Sequence, residues 1–327
     1  KSQQDDMGGS RELPHNSVHM ESLGAVPELK GRPGCVGDFS SRAHFGALRE
    51  LHRSSTGAVY LAQVRGPRQG RPARVVLKQR RFPELGEAKD MLSEYEVLKQ
   101  LQHPNIVQCL GYFWEPDTAS AYIVLEYADG GDLHTELQER AARCEYLDDN
   151  RVWDIFSDVL LAVEHIHARG IVHRDVKSLN VMLFTSGVAK LGDFGVSRQM
   201  SAQTVCLNSF YGTPLYLSPE LIQGQPYSQP TDVWSLGVML YELLSLRHPF
   251  SGSGLQGIVA AVLRGVYPSL PRTRPPEFGS LVASMLAQEP RQRPRAEELV
   301  RRLGQLGRLP RPQTHAAARR HAAALAP

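Results

Sequence analysis

A change of hydrophobic period at Gly130-Gly131 is what most constrains the fold of this chain. Ahead of it, Phe45-Gly46-Ala47-Leu48-Arg49-Glu50-Leu51, residues 58–64 and residues 74–78 are short apolar runs separated by turn residues, the pattern of an antiparallel sheet. Between 87 and 101, Leu92, Tyr95, Leu98 and Leu101 recur every third residue and predict one helix; residues 106–113 and 122–127 return to strand-like runs. Behind it, Val152, Ile155, Phe156, Val159, Leu160, Val163 and Ile166 mark one face of a long helix that Gly170 stops. Residues 232–246 are apolar nearly all round, which predicts a helix buried at the centre of a second lobe, capped by Thr231 or Asp232. The expected class is α+β, with a small antiparallel-sheet lobe carrying one main helix, followed by a larger helical lobe.

Composition is compatible with this plan. The chain has 327 residues, 42% of them hydrophobic and 22% charged, enough to bury the cores of two linked lobes. A net charge of +3 argues neither for nucleic acid nor for a membrane surface as partner. The most hydrophobic stretch, 236–246, is too short to span a bilayer and is interrupted by Glu242. Cys35, Cys109, Cys144 and Cys206 form no CxxC pair, as expected of free thiols in a reducing compartment. Residues 1–43, rich in Gly, Ser, Pro, Asn and Asp, predict a flexible tail. From Arg301 the sequence turns to Arg, Ala, Gln and His, so the fold is expected to span 44–303, with lobes at 44–128 and 129–303 and a second tail at 304–327.

The chemistry is concentrated in His173-Arg174-Asp175-Val176-Lys177-Ser178-Leu179-Asn180, followed thirteen residues later by Asp193-Phe194-Gly195. Together these resemble the catalytic loop and metal-binding turn of the eukaryotic protein kinase superfamily. The resemblance covers roughly 44–303 and implies the two-lobed protein kinase fold, with ATP and Mg²⁺ as cofactors. By its motifs Asp175 would be the catalytic base and Lys177 would neutralise the transferring γ-phosphate. Asn180 and Asp193 would hold Mg²⁺, a hard cation normally bound by few protein oxygens plus phosphate and water. His173 and Phe194 would pack these loops onto the lobe. Lys78, closing Val75-Val76-Leu77-Lys78, matches the lysine that contacts the α and β phosphates, and Glu94 its ion-pair partner. Taken singly, either charge reads as a solvated surface group; the later motifs reverse that reading.

The loop over the nucleotide departs from the family. Leu51, Gly57 and Val59 match LGxGxxGxV, but His52 and Ser54 stand at its first two glycines. Side chains there hinder backbone approach to phosphate or stiffen the hairpin, which predicts weaker or differently shaped nucleotide binding but not its absence, since Lys78, Asn180 and Asp193 remain. For the adenine pocket the resemblance implies Leu125 at its back, the backbone of Glu126 and Ala128 along the ring edge, and Val59, Val76 and Met182 around the ring. Asp132 would reach the ribose.

Lys177, in place of an Ala-Ala-Arg type insertion, and Gly212-Thr213-Pro214-Leu215-Tyr216-Leu217-Ser218-Pro219-Glu220 are similar to Ser/Thr kinases rather than tyrosine kinases. Thr213 would bond near Asp175, and Glu220 would pair with Arg293. Arg174 would receive a phosphate on the activation segment, with Ser209 the expected site, added by an upstream kinase or in trans by a second copy. Lys190-Leu191-Gly192-Asp193-Phe194-Gly195-Val196 and the 213–221 string are most similar to NIMA-related kinases, which implies roles in mitosis, microtubules or cilia and a cytoplasmic, cytoskeleton- or cilium-associated location. The implied partners are ATP and a protein with a Ser or Thr acceptor, with neither nucleic acid nor membrane. The competing readings are a pseudokinase scaffold, prompted by His52 and Ser54, and a small-molecule kinase, disfavoured by a 212–220 segment suited to a peptide.

Overall fold

A computed structural model describes residues 39, 41–54, 57–66, 72–82, 95–194, 198–199 and 214–309. Glu94, Gly195, Cys206, Ser209 and Thr213, with nearly all of the expected tails, lie outside the described residues.

The strand-like runs form five strands: β1 (Phe45–Arg53), β2 (Gly57–Val64), β3 (Arg74–Arg81), β4 (Cys109–Glu115) and β5 (Ser120–Glu126). They make one antiparallel sheet in the order β1-β2-β3-β5-β4. Residues directly opposite across such a sheet share a face. His52 opposes Val59, Val59 opposes Lys78, and Val76 lies between Leu61 and Leu125, so the side chains expected around a nucleotide fall on one face. The other face is closed by aromatic packing, with Phe39 on Phe45 at 5.3 Å, Phe45 on Phe113 at 5.8 Å and Phe113 on Tyr122 at 4.6 Å. Of the expected helix over 87–101, residues 95–100 (α1) are described and helical.

The expected strand at 106–113 begins later. Ile106 forms only an isolated parallel bridge to Leu191, and β4 starts at Cys109. The preceding segment has another use: Leu191 N–H donates to the Asn105 carbonyl (2.8 Å) and Val107 N–H to the Leu191 carbonyl (2.9 Å), which ties it to the second lobe.

In that lobe α2 (Leu133–Arg143) and α3 (Asp149–His167) precede three short strands, β6 (Ile171–Val172), β7 (Val181–Leu183) and β8 (Ala189–Leu191). β6 pairs with β9 (Arg198–Gln199) and β7 with β8. Then follow α4 (Pro219–Ile222), α5 (Gln229–Ser245), α6 (Gly254–Arg264), α7 (Pro276–Met285) and α8 (Ala296–Gln305). Helix α5 is buried along its length from Thr231 onward, as its all-round apolar pattern requires. Its cap differs from expectation. Ser228 is the N-cap and Thr231, three residues on, returns a bond to the Ser228 N–H (3.2 Å), a capping box that starts the helix before the apolar run. That leaves the Asp232 carboxylate available for the loop that begins at His173. At the C-terminal end Leu299 and Leu303 of α8 are buried, and the helix runs through Gln305. Among the described residues no helix is long and apolar enough to cross a membrane, and Cys109 and Cys144 are free thiols.

Candidate active site

The 173–180 loop is hung from α5. The Asp232 carboxylate accepts the backbone N–H groups of His173 and Arg174, each at 2.9 Å, the Tyr227 hydroxyl at 3.2 Å and His167 Nε2 at 2.8 Å. Burial pushes the Asp232 carboxyl up, but the His167 bond and the charges and N–H groups around it outweigh burial and hold it below its usual value. Arg174 has φ +72°, in the left-handed region that costs a side-chain-bearing residue strain, and the bond to Asp232 holds it there. Burial pushes the His173 imidazole down, so it is neutral. Its Nδ1 accepts the Asp175 N–H (3.3 Å), Nε2 donates to the Gly192 carbonyl (3.1 Å), and the ring meets Phe194 edge-on at 4.7 Å. His173 and Phe194 thus clasp the two loops.

Asp175 is fixed by its neighbours. Lys177 Nζ donates to both of its carboxylate oxygens (2.9 and 2.7 Å), and Asn180 Nδ2 donates to its carbonyl (2.8 Å) and to Oδ2 (2.9 Å). With its nitrogen so used, the Asn180 side chain has its amide oxygen left as an acceptor. Gly192 N–H donates to the Asn180 carbonyl (2.8 Å), bringing the end of β8 against this loop, and Asp193 follows at φ +57° with 46% of its side chain exposed. Lys78 Nζ reaches Asp193 Oδ1 at 2.7 Å, so the strand lysine and the loop carboxylate meet in one cleft. Among the described residues no cluster of three or more His, Cys, Asp or Glu could hold a metal. The oxygens of Asn180 and Asp193 fit Mg²⁺, which takes few protein ligands and fills its shell from phosphate and water.

The segment expected to edge the adenine is tied to the second lobe. Gly130 N–H donates to the Leu183 carbonyl (2.9 Å), Leu183 N–H to the Gly131 carbonyl (2.8 Å), and Asp132 bridges Met182. A Cβ on Gly130 would lie 2.7 Å from the Leu183 oxygen, so the approach requires glycine. Asp132 also caps α2, its two oxygens accepting the Thr135 N–H (2.8 Å) and hydroxyl (2.9 Å), a role the sequence reading left out. In the β1–β2 hairpin Ser54 N–H donates to the Gly57 carbonyl (2.8 Å). Gly57 is obligatory, since a Cβ there would fall 2.0 Å from the Gln79 oxygen.

Glu220 and Arg293 form the expected buried pair through two bonds (2.7 and 2.8 Å). The sequence reading missed a second buried group. The Tyr216 hydroxyl bonds Glu242 and accepts the Ser178 N–H (3.2 Å), while the Ser178 hydroxyl donates to Glu242 (3.2 Å). Burial, with Glu242 beside it, pushes the Tyr216 phenol well up, so it remains a donor. The signal was a lone Glu inside an apolar helical run: a buried carboxylate requires partners. Lys190 was missed as well; it pairs with Glu126 at 2.7 Å.

The sequence profile described as the protein kinase domain matches residues 47–303. The chain is 34% identical over 261 residues to human serine/threonine-protein kinase Nek5, covering 79% of this chain and 36% of that protein. It is 36% identical over 255 residues to serine/threonine-protein kinase Nek11 of Macaca fascicularis (77% and 39%), and 39% identical over 210 residues to putative serine/threonine-protein kinase A of Trypanosoma brucei brucei (63% and 48%). It therefore spans between about a third and a half of the length of these relatives. The profile match runs through every element that builds the cleft, from within β1 to within α8, and the chain belongs to the protein kinase family.

Proposed function

We propose that this chain is a protein serine/threonine kinase that transfers the γ-phosphoryl group of ATP to a Ser or Thr hydroxyl. The observation that carries the reading is the Asp175 carboxylate, held from two sides by Lys177 and Asn180 and joined through the Gly192–Asn180 bond to the Lys78–Asp193 pair. Phosphoryl transfer asks chiefly for position and charge. Asp175 orients the acceptor hydroxyl and takes its proton, and the Lys177 ammonium beside it offsets charge on the transferred group. Lys78 holds the inner phosphates. Mg²⁺ bound by the oxygens of Asn180 and Asp193 would neutralise charge along the triphosphate.

A peptide acceptor is supported by Tyr216, whose bonds to Glu242 and to the Ser178 N–H seat the turn at Pro214–Tyr216 directly against the catalytic loop. Arg174, held in the left-handed region one residue before the base, is the proposed receiver of a phosphate on Ser209. The scaffold reading keeps one argument, the side chains of His52 and Ser54 in the loop. Incubation with Mg-ATP carrying a labelled γ-phosphate and a generic protein substrate, beside an Asp193→Ala control, separates the two. Incorporation that depends on Asp193 supports the kinase; none above the control supports the scaffold.

A further inference from the structure

Glu126 is the last residue of β5, and its backbone was expected at the adenine edge; its side chain points elsewhere. The carboxylate, 5% exposed, accepts two bonds from Lys190 Nζ (2.7 and 2.8 Å) and one from the Gln108 N–H (2.7 Å). Lys190 is 13% exposed, and its ammonium lies 4.7 Å from the Phe184 ring centre. The two charges come from different lobes. Glu126 is further fixed in the first by its N–H on the Gln108 carbonyl (3.0 Å). Lys190 is the middle residue of β8, directly opposite Met182 and three residues ahead of Asp193. Opposed residues share a face, so Lys190 reaches up to Glu126 from the same side as Met182, the residue assigned to the ring.

We infer that the Glu126–Lys190 ion pair is a positioning device that sets the gap between the adenine edge and the Met182 floor. The other ties across this segment, Gly130 to Leu183 and Thr185 N–H to Asp129 (2.9 Å), lie further along the chain and hold the start of α2 to β7. Among the described residues, the ion pair is the hydrogen-bonded tie from the end of β5 to the strand that leads into Asp193. A buried charge pair binds in one geometry, since each partner left alone in a dry site is costly. Loss of one partner therefore shifts the strand as well as weakening it, and misplacement of a binding surface by a fraction of an ångström is felt directly in affinity.

The inference rests on the nucleotide site proposed above, and its test separates the two. A fluorescent N-methylanthraniloyl ADP would be titrated into wild type, Lys190→Met, Lys190→Arg, Glu126→Gln/Lys190→Met and Lys78→Met, with KM for ATP and kcat measured alongside. Lys190→Met is expected to raise Kd and KM by about tenfold with kcat within about twofold, and Lys190→Arg, which keeps the charge, to recover most of that loss. Should Lys190→Met fail to fold, the double variant leaves no lone charge and carries the same expectation. Nucleotide binding lost in Lys78→Met but unchanged in folded Lys190→Met or the double variant would overturn the positioning role alone. A wild type that binds no nucleotide would overturn the site and the inference with it.

Discussion

Arg293→Met tests how the second lobe is held together. The guanidinium is fully buried and makes five hydrogen bonds: two to the Glu220 carboxylate, and one each to the carbonyls of Ala287 (2.8 Å), Pro230 (3.0 Å) and Gln288 (3.2 Å). It also lies 4.9 Å from the Trp234 ring centre. Methionine replaces the stem but leaves Glu220 buried without its cation, with neutral donors such as the Thr231 hydroxyl (3.0 Å) still bonded to it. Removing one partner of such a pair costs about 3–5 kcal/mol, a large part of the 5–15 kcal/mol that typically holds a domain folded. At about 2–4 °C per kcal/mol for a domain of this size, thermal unfolding should fall by about 6–20 °C.

The pH dependence sharpens the test. Burial alone would raise the Glu220 carboxyl, but Arg293 outweighs it and holds it below the ordinary value of 4.5. Its contribution in the wild type is thus present above that value and lost as pH falls through the depressed one. In the variant, burial without the cation pushes the folded carboxyl above 4.5, so the penalty is greatest near neutrality and fades on acidification. The wild-type and variant melting curves, followed by circular dichroism, should converge between pH 7 and pH 5. A drop under 2 °C at pH 7, or a gap that widens toward pH 5, would refute this account of the pair.

Burial pushes the Asp158 carboxyl up to about 7 from an ordinary 3.8, opposed by the Ala189 N–H (2.8 Å). A raised folded value means stability lost as pH climbs through it, so wild type should gain about 2 kcal/mol relative to Asp158→Asn between pH 8 and pH 5 in denaturant titrations, and a constant difference would contradict this. Restoring both loop glycines with His52→Gly/Ser54→Gly should lower KM for ATP, and an unchanged KM would show that the hairpin already admits the phosphates. Gly57→Ala should do the opposite, raising KM by at least about tenfold, because its Cβ can be placed only by moving the β2–β3 backbone.

What the sequence revealed of this site followed from contiguity. Asp175, Lys177 and Asn180 lie within six residues, so local geometry brings them together wherever the loop sits, and Asp193 follows on the strand paired to the next one. Strands β2, β3 and β5 were legible as short apolar runs because each packs residues into the aromatic layer on one side of the sheet. Asp232, Glu242 and Lys190 were not legible as site residues. Each meets a distant partner, Arg174, Ser178 and Glu126 respectively, across 58 or more positions, and a polar residue inside an apolar run shows that a partner must exist without showing which one. Ser228 was passed over as the α5 cap because the apolar periodicity begins only after the first helical turn, where Pro230 and Thr231 supply no hydrophobic signal. The β4 boundary moved because residues 105–107 bond to β8 instead of to their own sheet, a tertiary preference that a strand-like run cannot express.

The central claim is that Asp175 serves as the base for transfer to an aliphatic hydroxyl. Its most direct test is phosphoamino-acid analysis of a protein substrate incubated with Mg-ATP and either wild type or Asp175→Asn, an amide that can still accept the Lys177 bond. The account predicts phosphoserine and phosphothreonine from wild type and a rate reduced by about 10²–10⁴ in the variant, the span usual for loss of a positioned acid or base. Phosphotyrosine as the product, or equal rates from the two proteins, would contradict it.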